Sequence, residues 1–331
     1  MVTDQRGRPL RDLRISLTDS CNFRCTYCMP AEVFPESFAF LSGDQLLTYD
    51  EIVRLVAAAR TLGLKKVKLT GGEPLLRSLV PQLVSQLKTA WPDLEVGLIT
   101  NGLRLQPLVQ RLYDAGLDGV TISIDALDPE RFSRITGNGH HVETILDAIE
   151  AAHEVFGRVK LNTVLLKGDN DNEVEPLALR YRRPGFNLRF IEFMDVGTLN
   201  RWSRGKVVTG DEVLQRLRAL GGLQAVEKAH PGETSERWAW ADGQGEVGFI
   251  NSVSRPFCGN CSRLRVGADG KLYTCLFSSI GTDFRTPLRS GSSVEEVSQR
   301  LTALWQGRSD RYSELRTDGH GARVEMFSVG G

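Results

Sequence analysis

The sequence predicts an α/β chain whose first two thirds form parallel strands joined by right-handed helical crossovers, followed by a smaller α+β unit. Three observations carry that expectation. Six strand-like runs alternate with five helical stretches between positions 13 and 194, at a period of roughly 30 residues, the size of a βαβ unit. No G-x-G-x-x-G follows the first strand, which removes the main reason to expect a dinucleotide-binding sheet. After Gly221 the alternation stops and short β-like pieces take over, which places a domain boundary near 220. An open doubly wound sheet and a barrel both satisfy this pattern. Either would gather the polar punctuation at Cys21, Gly71-Gly72-Glu73, Asn101, Asp125 and Met194 at one face.

Each element has its own signal. Strand 13–18 feeds a loop rich in thiols. Helix 48–62 opens with the capping box Thr48/Glu51, carries Ile52, Leu55, Val56, Ala59 and Leu62 on one face, and stops at Gly63. Strand 66–70 is broken by Gly71-Gly72-Glu73-Pro74, and a helix over 79–90 leads to strand 95–100 with Asn101-Gly102 as its turn. Helix 107–115 precedes strand 120–125, helix 142–156 precedes strand 159–165, and a less regular helical segment, 173–182, precedes strand 188–194. Beyond 220 come β pieces at 237–241 and 246–251, then a hairpin over 264–276 turned by Ala268-Asp269-Gly270. A helix over 294–305 and a tail ending in two glycines close the chain.

Composition narrows the function classes. A chain of 331 residues, 41% hydrophobic and 25% charged, suits a globular barrel with a smaller domain attached. Lys+Arg and Asp+Glu balance at 41 each, which argues against a nucleic-acid or anionic-membrane partner and requires any anion site to be a local cluster. No apolar run of about 18 residues offers a membrane span. The 6 cysteines fall in two groups of three, which reads as metal ligation in reducing cytoplasm rather than disulfide bonding.

The first group, Cys21, Cys25 and Cys28, has the spacing C-x-x-x-C-x-x-C. Soft thiolates at such spacing select iron–sulfur clusters, zinc or Cu(I). Three ligands on one cubane leave an iron open for chemistry; a zinc knuckle would need a fourth ligand, and none lies nearby. The second group, Cys258, Cys261 and Cys275, can meet at one metal across the hairpin; the alternative is a zinc completed by His230 or His320. Arg263 and Arg265, two apart in a strand, share a face and would clamp phosphate, unless that face is merely solvated. Lys68 and Lys160 sit within apolar strands, where a lysine needs an anion or a route to water.

With Tyr27 before its last cysteine, the first motif is similar to the signature of radical S-adenosylmethionine enzymes. Taken with C-M-P, T-G-G-E-P-L-L-R (70–77), C-x-x-C-x-R-L-R-x(9)-C and the Gly330-Gly331 end, the chain resembles the GTP 3′,8-cyclase family of molybdenum cofactor biosynthesis. The resemblance implies a partial six-unit (β/α) barrel over 1–220 and a C-terminal domain, 221–331, with two [4Fe-4S] clusters in all. It implies that Cys21, Cys25 and Cys28 hold the cluster that cleaves S-adenosylmethionine, and that Tyr27, Gly72, Ser123 and Met194 contact that cofactor. GTP would lie between the clusters, its guanine on the open iron held by Cys258, Cys261 and Cys275, lined by Arg14, Lys68, Ile99, Lys160, Arg263, Leu264 and Arg265. Arg263, Arg265, Gly330 and Gly331 would assist turnover, in which a 5′-deoxyadenosyl radical takes the ribose 3′ hydrogen and the carbon radical attacks C8 of guanine. Two positions depart from the family pattern, Lys68 where Arg is common and Ile99 where Thr is common. The resemblance further implies a reducing electron donor and a downstream cyclic pyranopterin-forming enzyme, and it allows a homodimer. The alternatives are a radical enzyme that modifies a peptide, whose relatives usually carry more C-terminal cysteines, and a non-catalytic electron carrier, which would have no use for the Gly-Gly-Glu-Pro turn.

Overall fold

Six parallel strands form in the expected order. The computed structural model describes residues 2–137, 139, 141–316 and 323–330. The strands are β1 (Asp12–Ser16), β2 (Lys66–Thr70), β3 (Glu95–Thr100), β4 (Gly119–Ser123), β5 (Val159–Leu165) and β6 (Phe186–Glu192). The crossovers are α1 (Tyr49–Thr61), α2 (Val80–Ala90), α3 (Val109–Asp114), α4 (Pro129–Thr136), α5 (Val142–Phe156) and α6 (Val174–Arg180). Along β5 and β6 buried and half-buried residues alternate. Their apolar set (Leu161, Leu188, Phe190) joins the core under the helices, while Lys160, Asn162, Asn187 and Arg189 line a cavity on the other face. A parallel strand covered on both faces would be apolar throughout. The polar inner set therefore marks a hollow, curved sheet, a partial barrel.

The C-terminal third completes that sheet rather than forming its own. It adds α7 (Gly210–Arg218), β7 (Leu223–Val226), β8 (Glu236–Trp240), β9 (Glu246–Ile250), β10 (Arg263–Val266), β11 (Lys271–Tyr273), β12 (Thr282–Asp283), α8 (Arg285–Arg289) and α9 (Val294–Gln306). The 12 strands run β12-β11-β10-β1-β2-β3-β4-β5-β6-β9-β8-β7. β10 pairs parallel to β1 with Arg14 opposite Arg265, and β9 pairs parallel to β6. Both edges of the six-stranded unit are thus covered by the chain that follows it, which protects them from pairing with another molecule.

Three helices were not expected from the sequence, α4, α7 and the short α8, and the first two have explicit caps. α4 has Asp128 as N-cap, Pro129 at its first position and Gly137 (φ +76°) as its stop. α7 has a capping box between Thr209 and Glu212. Strands β4 and β6 begin and end one or two residues before their expected positions, so Asp125 and Met194 sit in the loops beyond them.

Candidate active site

The first thiol loop leaves the carboxyl end of β1 and is held by its neighbours' backbone. Gly72 N–H donates to Thr18 O at 2.7 Å, and a Cβ at Gly72 would lie 2.2 Å from Ser20 O. Gly71, at φ +146°, would put one 2.4 Å from Thr18 O. The glycine pair is therefore demanded by close packing of the β2 turn on the β1 loop, before any ligand is considered. Arg24, buried, donates to the carbonyls of Cys21 (2.7 Å), Phe23 (2.9 Å) and Phe34 (2.7 Å). The loop also leans on the end of α4, with Arg24 N–H and Thr26 N–H donating to Thr136 O and Ile135 O. Nothing in the sequence motif singled out Arg24, because its partners are main-chain carbonyls and the Met29 sulfur.

Around this loop the carboxyl ends of the strands converge. Tyr27 Oη donates to Asp125 Oδ2 at 2.7 Å. Asn101 Nδ2 reaches Asn22 Oδ1 at 2.8 Å and Cys21 Sγ at 3.9 Å, and Phe23 N–H donates to the same sulfur at 3.4 Å. Ser123 ends β4, and Met194 lies two residues past β6, its carbonyl accepting from Asn200 Nδ2 at 2.9 Å. Burial raises all three thiol pKa values, Cys21 to about 11. Buried Glu73, its pKa raised to about 7 by desolvation, accepts from Leu75 N–H, Thr100 Oγ1 and Asn101 N–H, tying the β2 and β3 ends together.

The second triad sits at the opposite end of the barrel. β10 runs parallel to β1 and Cys258 and Cys261 precede it, while Cys275 follows the antiparallel β11. Strand direction thus sets the two thiol groups apart. They lie at the two ends of one bore, about six residues apart along β1, or on the order of 20 Å. Arg263 Nη2 donates to Cys261 Sγ at 3.4 Å. Burial would raise the Cys261 pKa, but Arg263 and Arg308 bring it down to about 6; Cys275 is raised by burial to about 11.

Inside the curved sheet lies a cavity of about 700 Å³ lined by Arg14, Lys68, Ile99, Thr121, Lys160, Asn162, Arg189 and Arg263. Arg14, Lys68 and Lys160 make no ion pair or side-chain hydrogen bond among the described residues, and Arg189 reaches only Asn187 Oδ1, at 2.7 Å. Burial and mutual repulsion depress these cations: Arg14 and Arg189 to about 10, Lys160 to about 8, and Lys68 well below its usual range. Half-buried cations without a carboxylate partner are costly without an anion, so the bore is built for one. Arg189 and Thr121 were missed as lining residues; the alternation in β4 and β6 points both to the face of Lys160. Leu264 places its side chain in the core, so only its main chain can face the bore.

Arg265 shares the strand face of Arg263 but reaches a different partner. Its Nη1 donates to Val329 O at 3.2 Å and to Gly330 O, and the tail is buried there. A Cβ on Gly330 (φ +67°) would meet Thr70 Cγ2 at 2.5 Å and Ser16 Oγ at 3.2 Å, so the penultimate glycine enters at the carboxyl ends of β1 and β2. Gly331 and His320 lie outside the described residues.

Residues 15–180 match the Radical SAM superfamily and residues 186–314 match Molybdenum Cofactor Synthesis C. The chain is 45% identical to a GTP 3′,8-cyclase of Xanthomonas axonopodis pv. citri, across 100% of this chain and 99% of that protein. The chain belongs to the GTP 3′,8-cyclase family. A second family member, the GTP 3′,8-cyclase of Staphylococcus saprophyticus, is 42% identical over 100% of this chain and 99% of its own length. In Acidothermus cellulolyticus the family member is 44% identical over 98% and 91%. Among solved structures, Streptococcus suis SuiB bound to S-adenosylmethionine superposes with a TM-score of 0.61 over 94% of this chain and 68% of that one; at 12% identity it shares the fold alone. The peptide-modifying alternative loses ground accordingly.

The side chains suit the clusters the cyclase family carries. All six cysteines are free, in two sets of three, and N–H donors reach the sulfurs of Cys21 and Cys261. Among the described residues no three His, Cys, Asp or Glu side chains meet closely enough to grip a single ion, so the convergence of Cys258, Cys261 and Cys275 on one ion is not reproduced.

Proposed function

We propose that this chain performs the reaction its relatives are named for, converting GTP to 3′,8-cyclo-7,8-dihydro-GTP in molybdenum cofactor biosynthesis. The observation that carries the reading is the bore of half-buried cations without ion-pair partners, joined to the second triad through Arg263 on Cys261 Sγ. When bound, the two [4Fe-4S] clusters and S-adenosylmethionine supply the 5′-deoxyadenosyl radical and a Lewis-acidic iron for guanine. The protein's own work is positioning. Arg14, Lys68, Lys160 and Arg189 hold the triphosphate, Arg263 and the Leu264 main chain seat the nucleotide beside the second triad, and Ile99 gives it an apolar contact. Tyr27, Gly72, Ser123 and Met194 frame S-adenosylmethionine against Cys21, Cys25 and Cys28. Arg265 holds Gly330 on the ribose side.

This reading divides the chain into a unit over 1–220 that houses the radical source and one over 221–331 that contributes the second cluster and the tail. It also calls for an external electron donor and a downstream enzyme that rearranges the cyclic product, and a homodimer is compatible with it. No helix among the described residues is long and apolar enough to cross a membrane; a reducing cytoplasm would keep the six thiols available. The test is anaerobic incubation of reduced protein with S-adenosylmethionine and GTP deuterated at C3′. Transfer of the deuterium into 5′-deoxyadenosine, with about eight irons per chain, is the expected result. Release of 5′-deoxyadenosine unchanged by GTP and free of deuterium would return the protein to another substrate.

A further inference from the structure

The N-terminal segment packs on the second triad through two buried residues, Asp4 and Arg8. Asp4 folds it: Oδ1 accepts from Arg6 N–H and Arg8 N–H, both at 2.9 Å, and Gly7 (φ +74°) turns the chain. Thr3 bridges Pro9, Trp305 Nε1 donates to Arg8 O at 3.0 Å, and Gln5 N–H donates to Arg308 O at 3.1 Å, so the segment is clasped by the end of α9. Two guanidiniums emerge from this clasp. Arg8 Nη1 donates to Cys258 O at 2.7 Å and to Asp310 O at 2.8 Å. Arg308 Nη1 donates to Cys261 O at 2.7 Å, and its Nε donates to Thr274 O, the carbonyl before Cys275, at 3.0 Å. Asp4 Oδ2 aligns both, 2.6 Å from Arg8 Nε and 3.2 Å from Arg308 Nη1. Asp4, Arg8 and Arg308 are 6%, 2% and 4% exposed.

We propose that Asp4, Arg8 and Arg308 are positioning residues of the second cluster site, fixing the main chain at all three of its thiols. The inference rests on the reading that this triad holds a cluster. Its logic repeats at the first triad, where buried Arg24 donates to Cys21 O. Two guanidiniums share one fully buried carboxylate, and Arg308 also meets Asp310 Oδ2 at 3.5 Å, so both forks are held in fixed orientation toward the thiol-bearing main chain. A purely structural strap would have no reason to aim both forks at ligand carbonyls. Supporting partners of metal ligands typically govern metal affinity by 10- to 100-fold.

The experiment compares reconstituted full-length parent with Arg308→Met, Arg308→Lys and Asp4→Asn. It measures iron and sulfide content, the rate of iron release to a chelator under anaerobic conditions, and the far-UV melting temperature. In the parent about eight irons leave slowly. In Arg308→Met about four should leave roughly 10- to 100-fold faster while the other four keep the parent rate and S-adenosylmethionine is still cleaved. Arg308→Lys should fall between, because an ammonium cannot span the carbonyls of Cys261 and Thr274 as the fork does. Asp4→Asn should also speed release of that half only. Parent rates in all three variants overturn the proposal, as does equal acceleration of both halves with a lowered melting temperature, which marks general destabilisation. A parent holding only about four irons would instead sink the two-cluster reading on which the proposal stands.

Discussion

Lys160 shows how far a single residue can be read. A lysine inside an apolar strand demanded an anion or water, and the structure sets it on the bore, half-buried, beside Arg189. Burial first, then repulsion from Arg189 and Lys66, brings its pKa down to about 8 in the ligand-free protein. A bound triphosphate raises that pKa, so this lysine's share of the affinity is fully present below about pH 8 and is lost as pH rises through the ligand-bound value. GTP affinity by anaerobic titration should fall up to about tenfold between pH 7.5 and 9. Lys160→Arg should flatten the profile, because a guanidinium stays charged. A parent profile flat across that range would place Lys160 away from the phosphates. Ile99 offers a second check. Its β4 neighbour in register is Thr121, a hydroxyl on the same wall. Ile99→Thr adds one more neutral hydrogen bond and should tighten GTP binding about two- to tenfold; no change would mean the nucleotide does not touch β3.

At the scale of elements, periodicity and caps were legible while long-range docking was not. Capping boxes at Thr48/Glu51 and Ser293/Glu296 begin α1 and α9 as the local sequence requires. The signals for α4 and α7 were equally local, and a closer reading of D-P-E-R and T-G-D-E would have found both. The tail could not be read so. It is latched to the loop after β6, where Asp195 accepts from Tyr312 Oη (2.5 Å), Arg316 Nε (2.9 Å) and Arg323 Nη1 (2.9 Å). Glu325 accepts from Thr198 N–H at 2.8 Å, and Phe327 packs edge-on to Phe34 with centroids 5.1 Å apart. Hydrogen bonds to a charged group contribute about 1.5–3 kcal/mol each. Asp195→Asn should therefore lower GTP turnover roughly tenfold or more while iron content and GTP affinity stay near those of the parent. Removing Gly330-Gly331 should slow turnover further, and adding Asp195→Asn to that deletion should cost nothing more, since a latch without its bolt is idle. Additive losses in kcat would show that Asp195 acts on something other than the tail.

For the whole molecule, the decisive quantity is the unpaired positive charge along the bore. Folding has gathered half-buried cations that no carboxylate neutralises, so ligand binding should feed directly into stability. At a hundred times its dissociation constant, GTP should stabilise the protein by about 2.7 kcal/mol, a rise in melting temperature on the order of 5 °C. Inorganic tripolyphosphate should reproduce part of that rise, and high salt should diminish it less than for exposed charges, because buried pairs are weakly screened. A melting temperature indifferent to both anions would remove the triphosphate from the bore.

Short spacings alone determined the two thiol triads, most of the strand–helix alternation, the Gly-Gly turn and the lysines set within apolar strands at 68 and 160. These follow from strand period, helix caps and ligand offsets, which are properties of neighbours in the chain. Tertiary structure alone decided which end of the barrel each triad occupies, because that depends on β10 running parallel to β1. It also separated Arg263, on a ligand sulfur, from Arg265, on the tail. And it brought Arg8 onto Cys258 and Asp310, 250 and 302 residues away. A hydrogen bond of that reach has no local signature; it exists only once the sheet has set strand direction and the last helix has closed over the first residues.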